Sequence, residues 1–453
     1  MKNRFNIIKS ECKRVLVVGS WAKEQATIEN IKKHSSVKLS AYMDMLNPAI
    51  SRLVDDYRIG DLYDVANIAQ YAEREEADIV IITTAAPLSK GVVDELQKRE
   101  IHVFGPCRKA ALLECDKAFA RDLMKQYQVG TLPEYAVFYN ESEAIDFARE
   151  LDWQVAVKPT GLTQGLGVKV YGDQLPDPVA VADYIRSIIN NKNGNSSRVI
   201  IEKRLHGIEF TLQCLVNGRI VIPTPSIQDF KKRSRGDKGL NTAGMGSYSA
   251  RGILLPFLSQ KMYDQAVSIM QATLISFEKE TGCTCQGFLY GQFMITNEGL
   301  RLIEYNFRPG DPEWLNTMCL MESSLLDAII ELMNGNRPRL KFDDKATVCK
   351  YIVPENYPEA LNETLDVTIP TGEIRSIGVQ AHYSCGLDTD GCLKVGDERG
   401  VCFTAKADSI QKAHEMVEQA ISKVSGKFHY RNDIGTKPLI TRQKDMARKW
   451  RII

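Results

Sequence analysis

Oxygen-bearing side chains gather in one stretch of the chain, residues 287–313, GFLYGQFMITNEGLRLIEYNFRPGDPE. It reads as two apolar strands, 287–296 and 300–306, joined by the short turn Asn297-Glu298-Gly299, a hairpin-type connection. Side chains alternate faces along a strand, so Glu304 and Asn306 share one face, and Gln292 can share the corresponding face of its partner. One carboxylate and two amides would then converge on one point. Hard cations such as Mg²⁺ or Mn²⁺ favour such oxygen ligands, and Mg²⁺ typically meets one or two carboxylates plus the phosphates of a nucleotide. An exposed charge on a half-solvated strand is the plainer reading of Glu304. The charged, glycine- and proline-rich sequel 307–313 favours a site, because loops after buried strands carry function.

Phosphate chemistry has candidates elsewhere. In 154–160, QVAVKPT, Lys158 alternates out of a very apolar strand, and an ammonium there is costly without an anionic partner, which a nucleotide phosphate would supply. The loop 161–168 follows, with Gly165 and Gly167 able to let backbone N–H groups close on phosphate oxygens, or simply to make a hairpin turn. It has no G-K-[ST] ending, which excludes a P-loop. Glu202 and Glu209 are separated by a turn between strands and suit the flanks of a ribose and base; each alone passes as a surface carboxylate. Residues 228–249, QDFKKRSRGDKGLNTAGMGSYS, lack helix or strand periodicity, and an irregular loop of that length is usually functional or disordered. Its Lys231, Lys232, Arg233 and Arg235 suggest contact with anions, against the rival of a solvated charge run. Lys117, on a helical stretch 109–127, is by itself most simply a solvated charge.

These residues need a frame. Between 15 and 105, apolar strands at 15–18, 37–42, 78–83 and 102–105 alternate with helical spacing of Leu62, Val65, Ile68, Ala69 and Ala72, and of Val92, Val93 and Leu96. Strands separated by helices imply a parallel sheet whose ligands sit beyond the carboxyl ends, at 19–25 and 84–90. Gly19-Ser20 lacks the full G-x-G-x-x-G pattern, so a dinucleotide site is not indicated. An amphipathic helix is expected at 258–281 and an apolar helix closing the core at 323–333. After Asn334-Gly335-Asn336-Arg337-Pro338 the pattern restarts, with strands at 346–353 and 401–406 and a helix face running from Ile410 to Val424, a small α+β domain.

The chain of 453 residues is long enough for two to four domains. Lys and Arg number 58 against 57 Asp and Glu, a formal net charge of +1 that offers no basic face for nucleic acid. No apolar run approaches the ~20 residues that span a bilayer, so no membrane partner is expected. The N-terminus lacks a signal-peptide core, and eleven cysteines without a regular framework read as reduced thiols; both point to the cytoplasm.

In order and spacing, APLSKGVVD (86–94), HVFGP (102–106), DKAFARDLM (116–124), VKPTGLTQGLGVKV (157–170), IEKRLHGIEFTLQ (201–213), 228–249, GFLYGQFM (287–294), IEYNFRPGDPE (303–313) and YRNDIG (430–435) resemble the phosphoribosylamine–glycine ligase family of the ATP-grasp superfamily. The resemblance implies an α/β and α+β multidomain fold: an N-terminal parallel-sheet α/β domain (1–109), an ATP-grasp domain of two subdomains (110–336, lid about 128–205) and a C-terminal α+β cap (337–453). It implies ATP held by Lys117, Lys158, Gly165, Gly167, Glu202 and Glu209, with Gln292, Glu304 and Asn306 on Mg²⁺ or Mn²⁺. Arg308 is the candidate for the acyl-phosphate or carboxylate contact, and Asp229 and Asn241 for orienting acid and amine. The implied substrates are glycine or a similar acid and phosphoribosylamine or a similar amine, on a monomer or homodimer.

The chain departs from the family pattern unevenly. Where the family has a G-G-x-x-R-E-H-A type loop, this chain reads Gly19-Ser20-Trp21-Ala22-Lys23-Glu24-Gln25-Ala26, so an arginine fork becomes a lysine point charge and an imidazole becomes an amide. Ala85, Leu166, Phe230 and Pro309 likewise replace a carboxylate, a lid lysine, a second imidazole and an aromatic. The nucleotide and metal residues remain while positions expected near glycine or phosphoribosylamine differ. Three readings are carried forward: the family's activity, a diverged amide ligase with another acid or amine, and a non-catalytic ATP-binding regulator. The complete Gln292/Glu304/Asn306 set argues against the last.

Overall fold

The structure, a computed structural model, describes residues 12–161, 167–191, 197–359, 364–387, 393–395 and 399–453. The first apolar runs form a five-stranded parallel sheet in the order Asp56–Ile59, Lys38–Met43, Arg14–Val18, Ile79–Ile82, His102–Phe104. Alternate residues serve opposite faces. Val15, Val17, Ile79 and Ile81 share a core with Ala22, Ala26 and Ile31 of the helix Ala22–His34, whereas Leu16, Val18, Val80 and Ile82 share one with Ile68, Ala72 and Leu96. Burial on both faces is why these strands read as unbroken apolar runs. Four of the five were legible. The fifth, DYRI at Asp56–Ile59, is an edge strand that alternates half-buried and exposed, too polar to register in sequence.

Next in the chain is an antiparallel sheet in the order Tyr135–Phe138, Val199–Lys203, Val155–Pro159, Lys169–Val170. Val155, Val157, Val199 and Ile201 turn to one side, where they pack with Ala144 and Ala148 of the helix Glu141–Glu150 and with Val181, Ile185 and Ile188 of the helix Pro178–Asn191. The period of two therefore sends Ala156, Lys158 and Glu202 to the other side.

A second antiparallel sheet runs Ile220–Pro223, Ile208–Asn217, Gln286–Thr296, Gly299–Asn306. Phe210 and Phe293 stack on its core side, with ring centroids 5.5 Å apart. The register pairs Glu209 with Met294, Thr211 with Gln292 and Gln213 with Tyr290, which lines these six along the opposite face. The hairpin from Thr296 to Gly299 is regular as far as Phe293↔Leu302; then Gln292 pairs with Glu304 and Tyr290 with Asn306. One extra residue, Ile303, sits in that step as a β-bulge. Without it, Gln292 would face Ile303, and Glu304 would turn into the core, because a one-residue slip flips every side chain. The bulge puts Glu304 and Asn306 on the same face as Gln292.

A third sheet runs Gln228–Asp229, Gly246–Ser249, Ala346–Ile352, Val401–Ala407, Val379–Tyr383, with the helix Ile410–Ile421 against it. The stretch 228–249, expected to be irregular, thus holds four short strands: two join this sheet and Lys232–Ser234 pairs with Lys238–Asn241. Each is two to four residues long, and the partner that fixes Gly246–Ser249 lies about a hundred residues downstream, beyond any local periodicity. Among the described residues no helix is long and apolar enough to cross a membrane.

Candidate active site

The polar faces of the first two antiparallel sheets meet across a cavity of about 620 Å³. Ala156, Lys158, Val168, Val170 and Glu202 form one wall, and Glu209, Met294, Ile303 and Glu304 the other. Asp229, Lys231 and Asn241 line it from the 228–249 strands. Arg442, Gln443 and Met446, from the C-terminal helix Lys437–Lys449, complete it. An apolar slot with charged groups at one end suits a flat ring system carrying phosphates.

Lys158 is buried and has its anionic partner within the chain: Nζ lies 2.6 Å from Glu202 Oε2. Arg121, buried on the helix Lys117–Gln126, donates from Nε to Glu202 Oε1 at 2.8 Å and from Nη2 to the carbonyl of the bulged Ile303. Burial alone would raise the Glu202 carboxyl; Arg121 and Lys158 outweigh it and hold it at about 2. Both Glu202 oxygens are engaged, so this carboxylate anchors the cation pair. Arg121 was missed from sequence, although Lys117 and Arg121 stand four apart on one helix face.

Among the described residues nothing donates a hydrogen bond to the Glu304 carboxylate. Burial works to raise it, but Lys231, Lys117, Lys158 and Arg308 hold it below the usual range, so four cations from four segments converge here. Gln292 is fully buried. Its Nε2 donates to Glu209 Oε2 at 2.8 Å and to Asp229 Oδ1 at 3.2 Å, and its Oε1 accepts from Thr211 Oγ1 at 3.1 Å and from Tyr290. Tyr290 also donates to Glu313 Oε1 at 2.8 Å. Burial, and then Asp229, push the Glu313 carboxyl up to about 7, and burial raises Glu209 as well. Glu304, Asn306 and Gln292 bring one carboxylate and two amides to one face of the hairpin, an all-oxygen set of the kind that fits a hard divalent cation. Among the described residues there is no cluster of three or more His, Cys, Asp or Glu shaped for a metal; the fit rests on Glu304 with neighbouring amides. Tyr290, Thr211 and Glu313 were not singled out in sequence, although Tyr290 lies two residues from Gln292 on the same strand face.

Asn306 Oδ1 accepts from Arg308 Nη2 at 3.3 Å, and Arg308 Nε reaches Glu114 Oε1 at 3.2 Å. Glu114 also takes the Phe307 N–H at 2.8 Å, fixing the loop after the strand. Lys117 Nζ donates to the Gly161 carbonyl at 3.0 Å, at the base of the glycine loop. Gly167 is held by Tyr184 through its carbonyl at 2.7 Å, while Gly165 and Leu166 lie outside the described residues. Asn241 Nδ2 meets the Val168 carbonyl at 3.4 Å, on the wall that carries Lys158 and Glu202.

The departures from the family pattern have local partners. Gln25 Nε2 donates to the Ala381 carbonyl at 3.0 Å and its Oε1 accepts the Tyr383 N–H at 2.9 Å, joining the first helix to the edge strand Val379–Tyr383. Phe230 stacks on Tyr248 with centroids 6.1 Å apart and lies under the Arg431 guanidinium at 5.0 Å. Lys23 Nζ is 3.7 Å from Glu24, whose carboxylate takes the Thr83 hydroxyl at 2.6 Å and the Trp21 N–H at 2.8 Å. Replacing Gln25 by alanine strands a half-buried N–H and carbonyl, so unfolding in urea is expected to show a loss of about 1–2 kcal/mol; an unchanged midpoint contradicts the joining role.

Comparison with known proteins agrees with this architecture. The family model described as phosphoribosylglycinamide synthetase, N domain, matches residues 13–114, and that described as phosphoribosylglycinamide synthetase, ATP-grasp (A) domain, matches 115–314. A phosphoribosylamine–glycine ligase of Methanobrevibacter smithii is 41% identical over 95% of this chain and 98% of its own. That of Methanopyrus kandleri is also 41% identical, over 93% and 96%. Among solved structures, a phosphoribosylamine–glycine ligase of Thermotoga maritima superposes with a TM-score of 0.78 at 22% identity, covering 93% of this chain and all of that one. The biotin carboxylase domain of Hydrogenobacter thermophilus 2-oxoglutarate carboxylase, in complex with MgADP, gives 0.70 at 17%, covering 92% and 91%. On these matches and on the site just described, the chain belongs to the phosphoribosylglycinamide synthetase family of ATP-grasp proteins.

Proposed function

We propose that this protein is an ATP-dependent, ADP-forming ligase that joins glycine to 5-phosphoribosylamine in purine biosynthesis, acting in the cytoplasm. The single observation that carries the reading is the convergence of Lys117, Lys158, Lys231 and Arg308 on one carboxylate, Glu304, which takes no hydrogen bond among the described residues and lines the cavity between the two sheets. Near end-to-end similarity to ligases of that name supports the choice of substrates. The domain division at 1–109, 110–336 and 337–453 is part of the same reading.

In the proposed reaction a glycine carboxylate oxygen attacks the γ-phosphorus of ATP and ADP leaves, giving glycyl phosphate. The amine of phosphoribosylamine then attacks the acyl carbon, phosphate leaves, and the nitrogen gives up a proton as the amide forms. Positioning and charge neutralisation account for most of such a step, since the protein forms no covalent bond. Met294 and Ile303 on one wall and Val168 and Val170 on the other would sandwich the base. Lys158, held in place by Glu202, and Lys117, held at the Gly161 carbonyl, would meet phosphate oxygens. Glu304, Asn306 and Gln292 would hold Mg²⁺ or Mn²⁺, which when bound neutralises charge on the phosphates. Arg308 would turn from Glu114 towards the acyl phosphate, and Asp229 would orient the incoming acid or amine. Closure of the lid wall would keep water from the acyl phosphate.

Incubating the pure protein with ATP, Mg²⁺, glycine and freshly made phosphoribosylamine is expected to yield glycinamide ribonucleotide by mass, with stoichiometric ADP. ADP released only with a different acid or amine would establish the diverged ligase instead. No ADP with any pair would establish the regulator.

A further inference from the structure

The helix Ala22–His34 begins just past the carboxyl end of the strand Arg14–Val18, the edge at which a parallel sheet takes its ligands. The helix Glu313–Leu320 begins at the end of the loop 307–312 that carries Arg308. These two helices pack together, and Trp314 Nε1 donates to Thr27 Oγ1 at 2.9 Å across the contact. Their leading loops are joined as well, through two fully buried side chains from the C-terminal part of the chain, Ser384 and Tyr351. The Ala22 N–H, one of the donors that a helix leaves unpaired in its first turn, goes to Ser384 Oγ at 3.3 Å. The Tyr351 hydroxyl, which burial and Asp311 keep protonated, donates to Asp311 Oδ1 at 2.6 Å. The serine hydrogen is left for Tyr351 at 2.8 Å, the closer of its two acceptors, Asp311 Oδ2 being at 3.4 Å. Donation therefore runs one way, from Ala22 through Ser384 and Tyr351 to Asp311, and buried hydrogen bonds in series strengthen one another. The two ends are fixed from the side. Asn47 Nδ2 donates to the Ser20 carbonyl at 2.7 Å, and Arg399 Nη1 donates to the Asp311 carbonyl at 2.7 Å. An ordinary staple between packed parts could lie anywhere along their contact. This one ends next to Gly19–Trp21 on one side and three residues past Arg308 on the other.

On the ligase reading of the site, we infer that Tyr351 and Ser384 are positioning residues for the amide-forming step: they hold the loop before Ala22, where the amine would sit, in register with the loop 307–312, where the acyl phosphate would form. Both act through other groups, the backbone of Ala22 and the carboxylate of Asp311. Amide formation needs the amine nitrogen and the acyl carbon held close and aligned, and a shift of about 1 Å between the loops that carry them is costly in rate. Formation of glycyl phosphate would use only the nucleotide cleft and the loop 307–312, so it would not depend on this series of hydroxyls.

Initial rates on the full chain test this with Tyr351→Phe and Ser384→Ala, each of which removes one hydroxyl. In each variant kcat/KM for phosphoribosylamine is expected to fall roughly tenfold, with KM for ATP within about twofold of wild type. In the double variant the fall is expected to match that of a single, because one broken link already interrupts the series. A parallel assay replaces phosphoribosylamine by hydroxylamine, whose nitrogen attacks the acyl carbon of glycyl phosphate as phosphate leaves. Glycine hydroxamate is expected from both variants at a rate within about twofold of wild type. Phosphoribosylamine kinetics within about twofold of wild type in both variants, or an equal loss in the two assays, overturns the positioning role. Ser384→Ala, the smaller change, decides alone if Tyr351→Phe does not fold. Wild-type protein that forms no glycinamide ribonucleotide overturns the ligase reading itself, and the positioning role with it.

Discussion

Glu304→Gln is expected to lower turnover by roughly a thousandfold, about 4 kcal/mol of transition-state stabilisation, while leaving the fold intact. The substitution keeps the shape of the side chain and removes only the charge on which four cations converge. Among the described residues no donor hydrogen-bonds to this carboxylate, so no buried partner is stranded when it becomes an amide. The loss should therefore appear in function and hardly in unfolding. A readout independent of activity follows: Mg²⁺ should raise the thermal midpoint of the wild-type protein in the presence of ADP and should fail to do so in the variant. Turnover within a few-fold of wild type, with metal stabilisation retained, would remove Glu304 from the metal site.

Glu202→Ala has the opposite character, with its largest effect on stability. Arg121 and Lys158 are both buried, and this change removes the one carboxylate that either is ion-paired with among the described residues. Breaking a buried ion pair in this way costs about 3–5 kcal/mol, which urea unfolding would detect at once. The pH dependence agrees in sign. The folded-state carboxyl is depressed to about 2, so its contribution is present above the ordinary glutamate range and lost as pH falls through that range towards 2. Replacing all three charged residues with apolar ones of similar volume, Arg121→Leu, Lys158→Met and Glu202→Leu, should restore most of the stability and leave nucleotide binding abolished, since Lys158 lines the cleft. Recovery of nucleotide binding in that triple variant would show that Lys158 is structural only.

Much of this was legible from residues because strand alternation is a local property. Lys158 and Glu202 fall on the cleft side of their strands by simple counting from Val155 and Val199. The shared face of Glu304 and Asn306 follows in the same way. The matching face of Gln292 depended on the bulge at Ile303, which nothing in GLRLIEYN announces; a hairpin in straight register would have turned Glu304 inward. Of the third sheet, Ala346–Ile352 and Val401–Ala407 were expected as strands, and the part before them was hidden for a different reason. Its short strands between Gln228 and Ser249 have almost no apolar pattern, and their pairing is decided by Ala346–Ile352, far along the chain. The charges assigned to the nucleotide and to the acyl phosphate also have partners within the chain. Glu202 is occupied by Arg121 and Lys158, and Arg308 is held by Glu114 and Asn306, and only tertiary structure reveals such partners. Phe230 and Gln25 look in sequence like lost catalytic groups. One stacks in an aromatic and guanidinium contact, and the other joins two parts of the chain.

A crystal of the protein grown with ADP and Mn²⁺ offers the most direct test of whether one hairpin holds a divalent cation against nucleotide phosphates. The anomalous signal of the metal is predicted about 2.1 Å from a Glu304 oxygen, with Asn306 or Gln292 beside it and the adenine between Val168 and Met294. Manganese bound elsewhere, with Glu304 still unligated beside a filled nucleotide cleft, would contradict the account.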